Sequence, residues 1–315
     1  MFSYIVRRII QSIPVLLLVT LGAFAVIILV PGDPAQHMLG YNATPESLRI
    51  LREQLGLDRP ISQQFWEFFQ GAVVGDFGES ILKKEAVSIV VGERAIVSIL
   101  LLGYSVFIAL FVSLPIATVS ALRRNRWPDH LLRFASMITF AMPSFWLGLL
   151  LALWFGLHLG WFPVGGYSDS NISSALYTLT LPAITIGLYL APLLARSLRS
   201  SLIEELDRDY VDAARGRGFT ETRVIGGHVL RNSLIATVTV LSLNVGYLLS
   251  GTVIVENVFA IPGLGTLIVD AVMQRDYPLI QALTLFFGVA VIITNLLADL
   301  SYAVLDPRIR LERKR

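Results

Sequence analysis

Six runs of apolar residues constrain this chain more than any other feature, each near the roughly 20 residues that a helix needs to cross a bilayer. They lie near residues 9–30, 95–122, 131–159, 176–198, 233–255 and 279–305. Hydrocarbon offers no partner to a backbone N–H or C=O, so a run of this length satisfies itself only as a helix. The fold class that follows is all-α: a single polytopic membrane domain over residues 1–315 with six spans. Composition agrees, since 55% of the residues are hydrophobic and 15% are charged, against about 25% charged in soluble domains. There is no cysteine, which removes disulfides, thiolate catalysis and thiol-ligated metals.

The first run follows Arg7-Arg8. It is too long for the apolar part of a signal peptide, and no small-residue cleavage site precedes Pro31-Gly32-Asp33-Pro34. It is expected to stay as a span. Pro14, Pro115, Pro143, Pro182 and Pro192 fall inside the runs. Neighbouring helices can absorb the lost backbone bonds, so these positions are candidate kinks.

Basic residues near the span ends set the orientation. With the N-terminus inside, eighteen of the 25 lysines and arginines fall on inner segments, seven of them arginines between Arg196 and Arg231. Six of the other seven sit in one long outer segment, residues 31–94, where the rule has least force. Both termini are thus expected in the cytoplasm. Within the outer segment, Thr44-Pro45-Glu46 opens a helix running to residue 55, with Thr44 as cap and Gly56 as stop. A second helix is expected over residues 61–73, with Phe65, Phe68 and Phe69 on one face, followed by a turn at Gly75-Asp76-Phe77-Gly78-Glu79-Ser80. That aromatic face suits either the outer membrane interface or the outer end of the bundle.

A polar insert, residues 199–232, separates the fourth and fifth runs. Asp212-Ala213-Ala214 lead a short helix that stops at Gly218, and a second piece begins at Thr220 as a cap. Two helices joined at a glycine form an elbow, because glycine accepts the left-handed conformation that ends a helix. Alanines on its face would let it seat in a groove. The insert carries almost as many acidic residues as arginines, which argues against nucleic acid. No lysine follows a glycine, so no phosphate-cradling GxxxxGK[ST] loop exists. If ATP drives this protein, ATP and its magnesium sit on another chain.

The triplet Asp212-Ala213-Ala214 followed by Gly218 resembles the "EAA" loop of ABC-importer permeases, with Asp for Glu and Arg231 where many members have Pro. The blocks PGDP at 31–34, GDFGES at 75–80, MPSFWLGLLLALWF at 142–155, GWFPVGGY at 160–167, SGTVIVENVFAIPGLG at 250–265, RDYPLIQA at 275–282 and LDPRIR at 305–310 resemble the dipeptide/oligopeptide/nickel branch. PGDP with a long first outer segment is similar to the B-type permease of that branch. The resemblance covers nearly the whole chain. It implies a permease that pairs with a C-type permease, two ATP-binding subunits and an extracytoplasmic solute-binding protein in a bacterial inner membrane. It also implies that the elbow is the coupling helix, with Tyr210, Asp212, Ala213, Ala214, Arg215, Arg217, Gly218 and His228 at the contact with an ATP-binding subunit. Gly218 is the expected hinge and Ala213/Ala214 the expected seating face. Peptides are the expected solute; nickel chelates and glutathione travel through very similar permeases.

Each of these residues has a plainer reading. Arg215 and Arg217 are also ordinary inner-face charges, and Asp212–Arg215 an exposed pair. His228 suits packing or an interface better than proton carriage. Asn244, Asn295 and Asp299 are costly in lipid, about 2.5–3.5 kcal/mol for a central Asp. They either line the solute path or glue helices together. Glu256, at the outer end of the fifth run, suits a gate or a surface equally. His37, His130, His158 and His228 show no metal-ligand spacing such as HxxxH, so no metal site is expected. An ion-driven secondary transporter is the alternative function; it would favour inverted repeats or half-broken spans, and neither is read here. An intramembrane enzyme would need a nucleophile with a base, and Ser144 has no histidine at a suitable spacing.

Overall fold

The computed structural model describes residues 2–29, 34–39, 44–54, 56–81 and 83–305. Apart from one isolated bridge, Glu79–Ala86, regular structure among these residues is entirely helical. The first unit taken here gathers Phe2–Ser98 and Pro262–Ile293; the second gathers Ile99–Ile261 and the residues from Thr294 onward.

The first unit contains α1 (Phe2–Leu29), α2 (Pro34–Leu39), α3 (Pro45–Gln54) and α4 (Ile61–Val74). With them are the start of α5 (Val87–Leu122), all of α12 (Leu264–Gln274) and most of α13 (Tyr277–Leu305). The two expected outer helices are present. Thr44 Oγ1 accepts from the Ser47 amide at 3.2 Å while the Ser47 hydroxyl accepts from the Thr44 amide at 3.0 Å, a reciprocal cap of the first turn. Gly75 ends α4 in the left-handed region, φ 77°. The aromatic face of α4 turns toward α1, where Phe24 meets Phe65 edge-on at 5.4 Å and Phe68 at 6.0 Å. Val87, Val91, Leu264, Leu267, Ile280 and Leu283 form the buried centre of the unit. Two buried polar staples tie its segments together. The Ser80 hydroxyl donates to buried Asp276 at 2.5 Å, and the Leu264 amide donates to Ser98 Oγ at 2.8 Å.

The second unit holds the rest of α5, then α6 (Trp127–Ala141), α7 (Ser144–Leu151) with a π-helical turn Ala152–His158, and α8 (Ile172–Leu206). Next come α9 (Asp209–Gly216), α10 (Glu221–Val224), a π turn Ile225–Val229 and α11 (Leu230–Val258). The central element is α8: fifteen of its residues are buried, among them Pro182 and Pro192. Gly187 lets α5 approach, since a Cβ there would meet Ile108 Cγ2 at 2.9 Å and Ser105 O at 3.1 Å. Asn171 caps α8, its Oδ1 accepting from the Ser174 amide at 2.8 Å. The helices run on through Pro14, Pro115, Pro182 and Pro192.

Pro143 behaves differently: of the five candidate kinks it is the one at which the helix stops and restarts. The pair Trp127–Thr139 and Ser144–His158 bends by 103°. Met142 is extended, φ −81° and ψ 131°, as the ring of a following proline requires. The bent pair is either a broken span or a re-entrant loop, and neither was read from the sequence. By length and composition, four stretches among the described residues are able to cross a membrane: Val87–Leu122, Ile172–Leu206, Glu221–Asn244 and Tyr277–Leu297, with the bent pair as a fifth. The described apolar part of the first run, Ile10–Ala25, is shorter. Residues 31–33 of PGDP and 306–310 of LDPRIR lie outside the described residues.

Candidate functional site

The elbow folds as an interruption between two long helices. After α8 ends, α9 begins at Asp209 and closes with a Schellman motif. The Phe219 amide reaches back to Ala214 O at 3.3 Å, and the Gly218 amide to Arg215 O at 2.9 Å. The residue at the turn must be left-handed, and Gly218 is, at φ 80°. Among the described residues, its two chain neighbours aside, no heavy atom lies within 4 Å of the position a Cβ would take there. The glycine answers to backbone conformation, not to crowding by its own chain. Thr220 stands at the N-cap position of α10 with an extended backbone but no side-chain cap bond.

Buried side chains fix the elbow to the helices behind it. Val211, Ala214, Val224 and Val229 join Ala117, Ala121, Ala195, Leu198 and Leu202 in one buried cluster. Fully burying a valine contributes about 1.5–3 kcal/mol, so the two arms are anchored rather than hung. This corrects one expectation: Ala214 packs inward at 8% exposure, leaving Ala213 as the exposed alanine of the pair. At the base, the Tyr210 hydroxyl donates to Glu205 Oε2 at 2.6 Å, and Asn232 Nδ2 donates to Tyr210 Oη at 3.2 Å. Burial first, and the Glu205 carboxylate second, push the Tyr210 phenol above its ordinary pKa. It stays neutral and keeps donating.

On the open face, Arg215 lies 3.5 Å from Asp212, as its spacing suggests, but its shorter bond runs from Nε to Glu221 Oε1 at 2.8 Å. That second contact clasps α9 to α10 across Gly218, and the Glu221 hydrogen bond raises the Arg215 pKa. Arg217 and His228 are exposed, and the His228 ring sits 6.3 Å from that of Phe219. The Arg223 guanidinium lies 4.9 Å over the same ring, a cation–π contact absent from the sequence reading. What results is a polar, solvent-facing knob on an apolar root.

Three of the four path candidates have described side chains. The Asn244 amide turns back to its own helix, donating to Val240 O at 2.7 Å. Glu256 is completely buried, which removes the surface reading of that residue. Asn295 is exposed on α13, and the side chain of Asp299 lies outside the described residues. A cavity of about 420 Å³ opens instead at the Pro143 break, against Tyr189 of α8 and Leu248, Gly251 and Val255 of α11. Asn244 shares the helical stripe of Leu248, Gly251 and Val255, one turn before Leu248. Phe259, buried beyond that stripe, is held from two sides. A Cβ on Gly148 would stand 3.1 Å from its ring, and one on Gly165 would stand 2.7 Å from its carbonyl oxygen. The Gly166 amide donates to that oxygen at 2.8 Å.

The sequence also gave no sign of a buried ion cluster at the other end of α5 and α6. Asp129 is fully buried; Arg199 Nε and Nη2 grip its two oxygens at 2.7 Å each, with Ser120, the Asn125 amide and Arg133 completing its shell. The partners are 70 residues apart, beyond any local spacing rule. Among the described residues no group of three or more His, Cys, Asp or Glu is placed to hold a metal.

Comparisons with known proteins agree on one relationship. The family model described as binding-protein-dependent transport system inner membrane component matches residues 113–311, and its N-terminal companion matches residues 1–90. The glutathione transport system permease protein GsiC of Salmonella typhimurium (strain LT2) is 39% identical over 98% of this chain and 99% of its own length. GsiC of Escherichia coli (strain K12) is 38% identical over the same shares. Among solved structures, an inward-facing MetNI methionine ABC transporter has a similar fold, with a TM-score of 0.56 at 14% identity. It covers 69% of this chain and 96% of the solved one.

Proposed function

Because this chain belongs to the family of binding-protein-dependent transport system inner membrane components, we propose that it is one permease subunit of an ATP-driven importer for short peptides or peptide-like solutes such as glutathione. The chain is a transport component of the inner membrane and not an enzyme. The observation that carries the finer reading is the elbow: a knob closed by a left-handed glycine, rooted in the core by Val211 and Val224, with a polar open face.

In this reading both termini and the elbow face the cytoplasm, and residues 31–94 face outward. Asp212, Ala213, Arg215, Arg217 and His228 present the surface that an ATP-binding subunit grips, while Tyr210 and Gly218 hold its shape. The chain pairs with a second, C-type permease; two ATP-binding subunits carry ATP and magnesium, and a solute-binding protein delivers cargo. Closure of the ATP-binding subunits moves the elbow, and the buried root passes that movement to α8 and α11. A ligand or partner shifts such an equilibrium only through its different affinity for the two states. The cavity beside Pro143 is the path candidate favoured by the geometry, with Asn244 and Glu256 on the helix that lines it. Peptide-like cargo is supported by the 38–39% identity to glutathione permeases.

The test is uptake into proteoliposomes holding the four-subunit assembly and its solute-binding protein, with labelled glutathione, dipeptides and tripeptides in separate assays. ATP-dependent accumulation of at least one is expected. Accumulation by this chain alone under an ion gradient would instead support a secondary transporter.

A further inference from the structure

In the unit that carries the elbow, α5, α6 and α8 enclose a cavity of about 360 Å³ that the transport reading leaves unused. Arg133, Arg196 and Arg199 line it, Ser136 adds a hydroxyl, and Leu132 and Met137 supply apolar wall. One carboxylate answers the three cations. Asp129 takes both Arg199 nitrogens and Arg133 Nη2, the last at 2.9 Å. An excess of two positive charges remains. Among the described residues Arg196 makes no ion pair. A cationic recess bounded by apolar side chains suits an anion that carries its own apolar tail.

Depth narrows the choice. Arg196 and Arg199 stand where the fourth apolar run, residues 176–198, gives way to the polar insert 199–232, the end of a span, where headgroups are met rather than hydrocarbon. We propose that this cavity binds the phosphodiester headgroup of an anionic phospholipid of the inner leaflet. Arg196 and Arg133 hold the phosphate, and the acyl chains run along Leu132 and Met137. The leaflet rests on the inward orientation stated above; the binding does not. Ala117 and Ala195 line the cavity and belong to the buried cluster that roots Val211 and Val224. An occupied recess therefore stiffens the wall on which the elbow stands.

The experiment uses the complete transporter, purified in detergent containing equal phosphatidylglycerol and phosphatidylcholine, with retained lipid read by native mass spectrometry. Phosphatidylglycerol should be retained in preference. Arg196→Gln, which leaves the Asp129 shell intact, should lower that retention about fivefold, the effect of one cation near an anionic lipid surface, and Arg196→Lys should restore most of it. Equal retention of both lipids, or undiminished phosphatidylglycerol on Arg196→Gln, would overturn the proposal. So would complete displacement by inorganic phosphate, which would mark a free-anion site, or absence of lipid because a second membrane subunit covers the recess. Orientation is read separately. Labelling of Ser200→Cys by an impermeant reagent added outside cells would contradict the inward reading and leave the retention result standing.

Discussion

Gly218 and Asp129 show two ways in which one residue constrains the molecule. A left-handed residue other than glycine costs roughly 1–2 kcal/mol, and asparagine bears that conformation better than most. Since no atom of the described residues crowds Gly218, a partner's close approach and the backbone conformation are separable. Gly218→Asn should fold and keep most solute-stimulated ATP hydrolysis, whereas Gly218→Val should insert normally and lose most of it. Equal losses in both variants would show that the partner's approach sets the requirement. Asp129 follows a different rule, because removing one member of a buried pair strands a charge. Arg199→Leu should cost no more than about 3–5 kcal/mol, since Arg133 still faces Asp129, with Arg199→Leu plus Asp129→Asn partly recovering the loss. Thermal unfolding of the purified subunit assembly in detergent measures both. By contrast, the half-exposed clasp between Arg215 and Glu221 has little to lose: Glu221→Gln should shift stability by about 1 kcal/mol or less, and less still in high salt.

At the scale of elements, local rules made the elbow legible. An acidic residue, two alanines and a glycine four positions on announce a helix and its stop, and both occur. The register of burial did not follow from those rules: Ala213 and Ala214 look alike in sequence, and it is the buried cluster shared with residues of α5 and α8 that takes Ala214 inward. Which of the candidate kinks breaks its helix was not legible for a related reason. Five prolines sit in apolar runs and four are absorbed, so the residue type alone cannot tell which one bends the chain. Pro143 bends it because Met142 gives up helical geometry and α7 restarts at Ser144. Pro143→Ala should straighten the pair, reduce uptake, and shorten the distance change between spin labels placed on α6 and α7 during turnover. An unaltered 103° bend in that variant would place its cause in tertiary packing instead.

At the scale of the whole chain, the family blocks were recognisable before any of them had a structural reason. The structure supplies several. GDFGES reaches RDYPLIQA through Ser80 and Asp276, and GWFPVGGY clamps the backbone of Phe259 in the block at 250–265. They are staples between distant segments, invisible to spacing rules because their partners lie far along the chain, 196 residues apart for Ser80 and Asp276. Gly165→Ala, which would drive a Cβ into the Phe259 carbonyl, should lower folded yield and uptake together. The central claim is that the exposed face of the elbow is gripped by an ATP-binding subunit, and the absence of cysteine from the chain allows a clean measurement. Ala213→Cys, paired with single cysteines in the ATP-binding subunit of the assembled transporter, should form a disulfide whose yield changes several-fold between ATP-bound and nucleotide-free states. No cross-link from residue 213 to any position on that subunit, in a variant that still transports, would contradict the account.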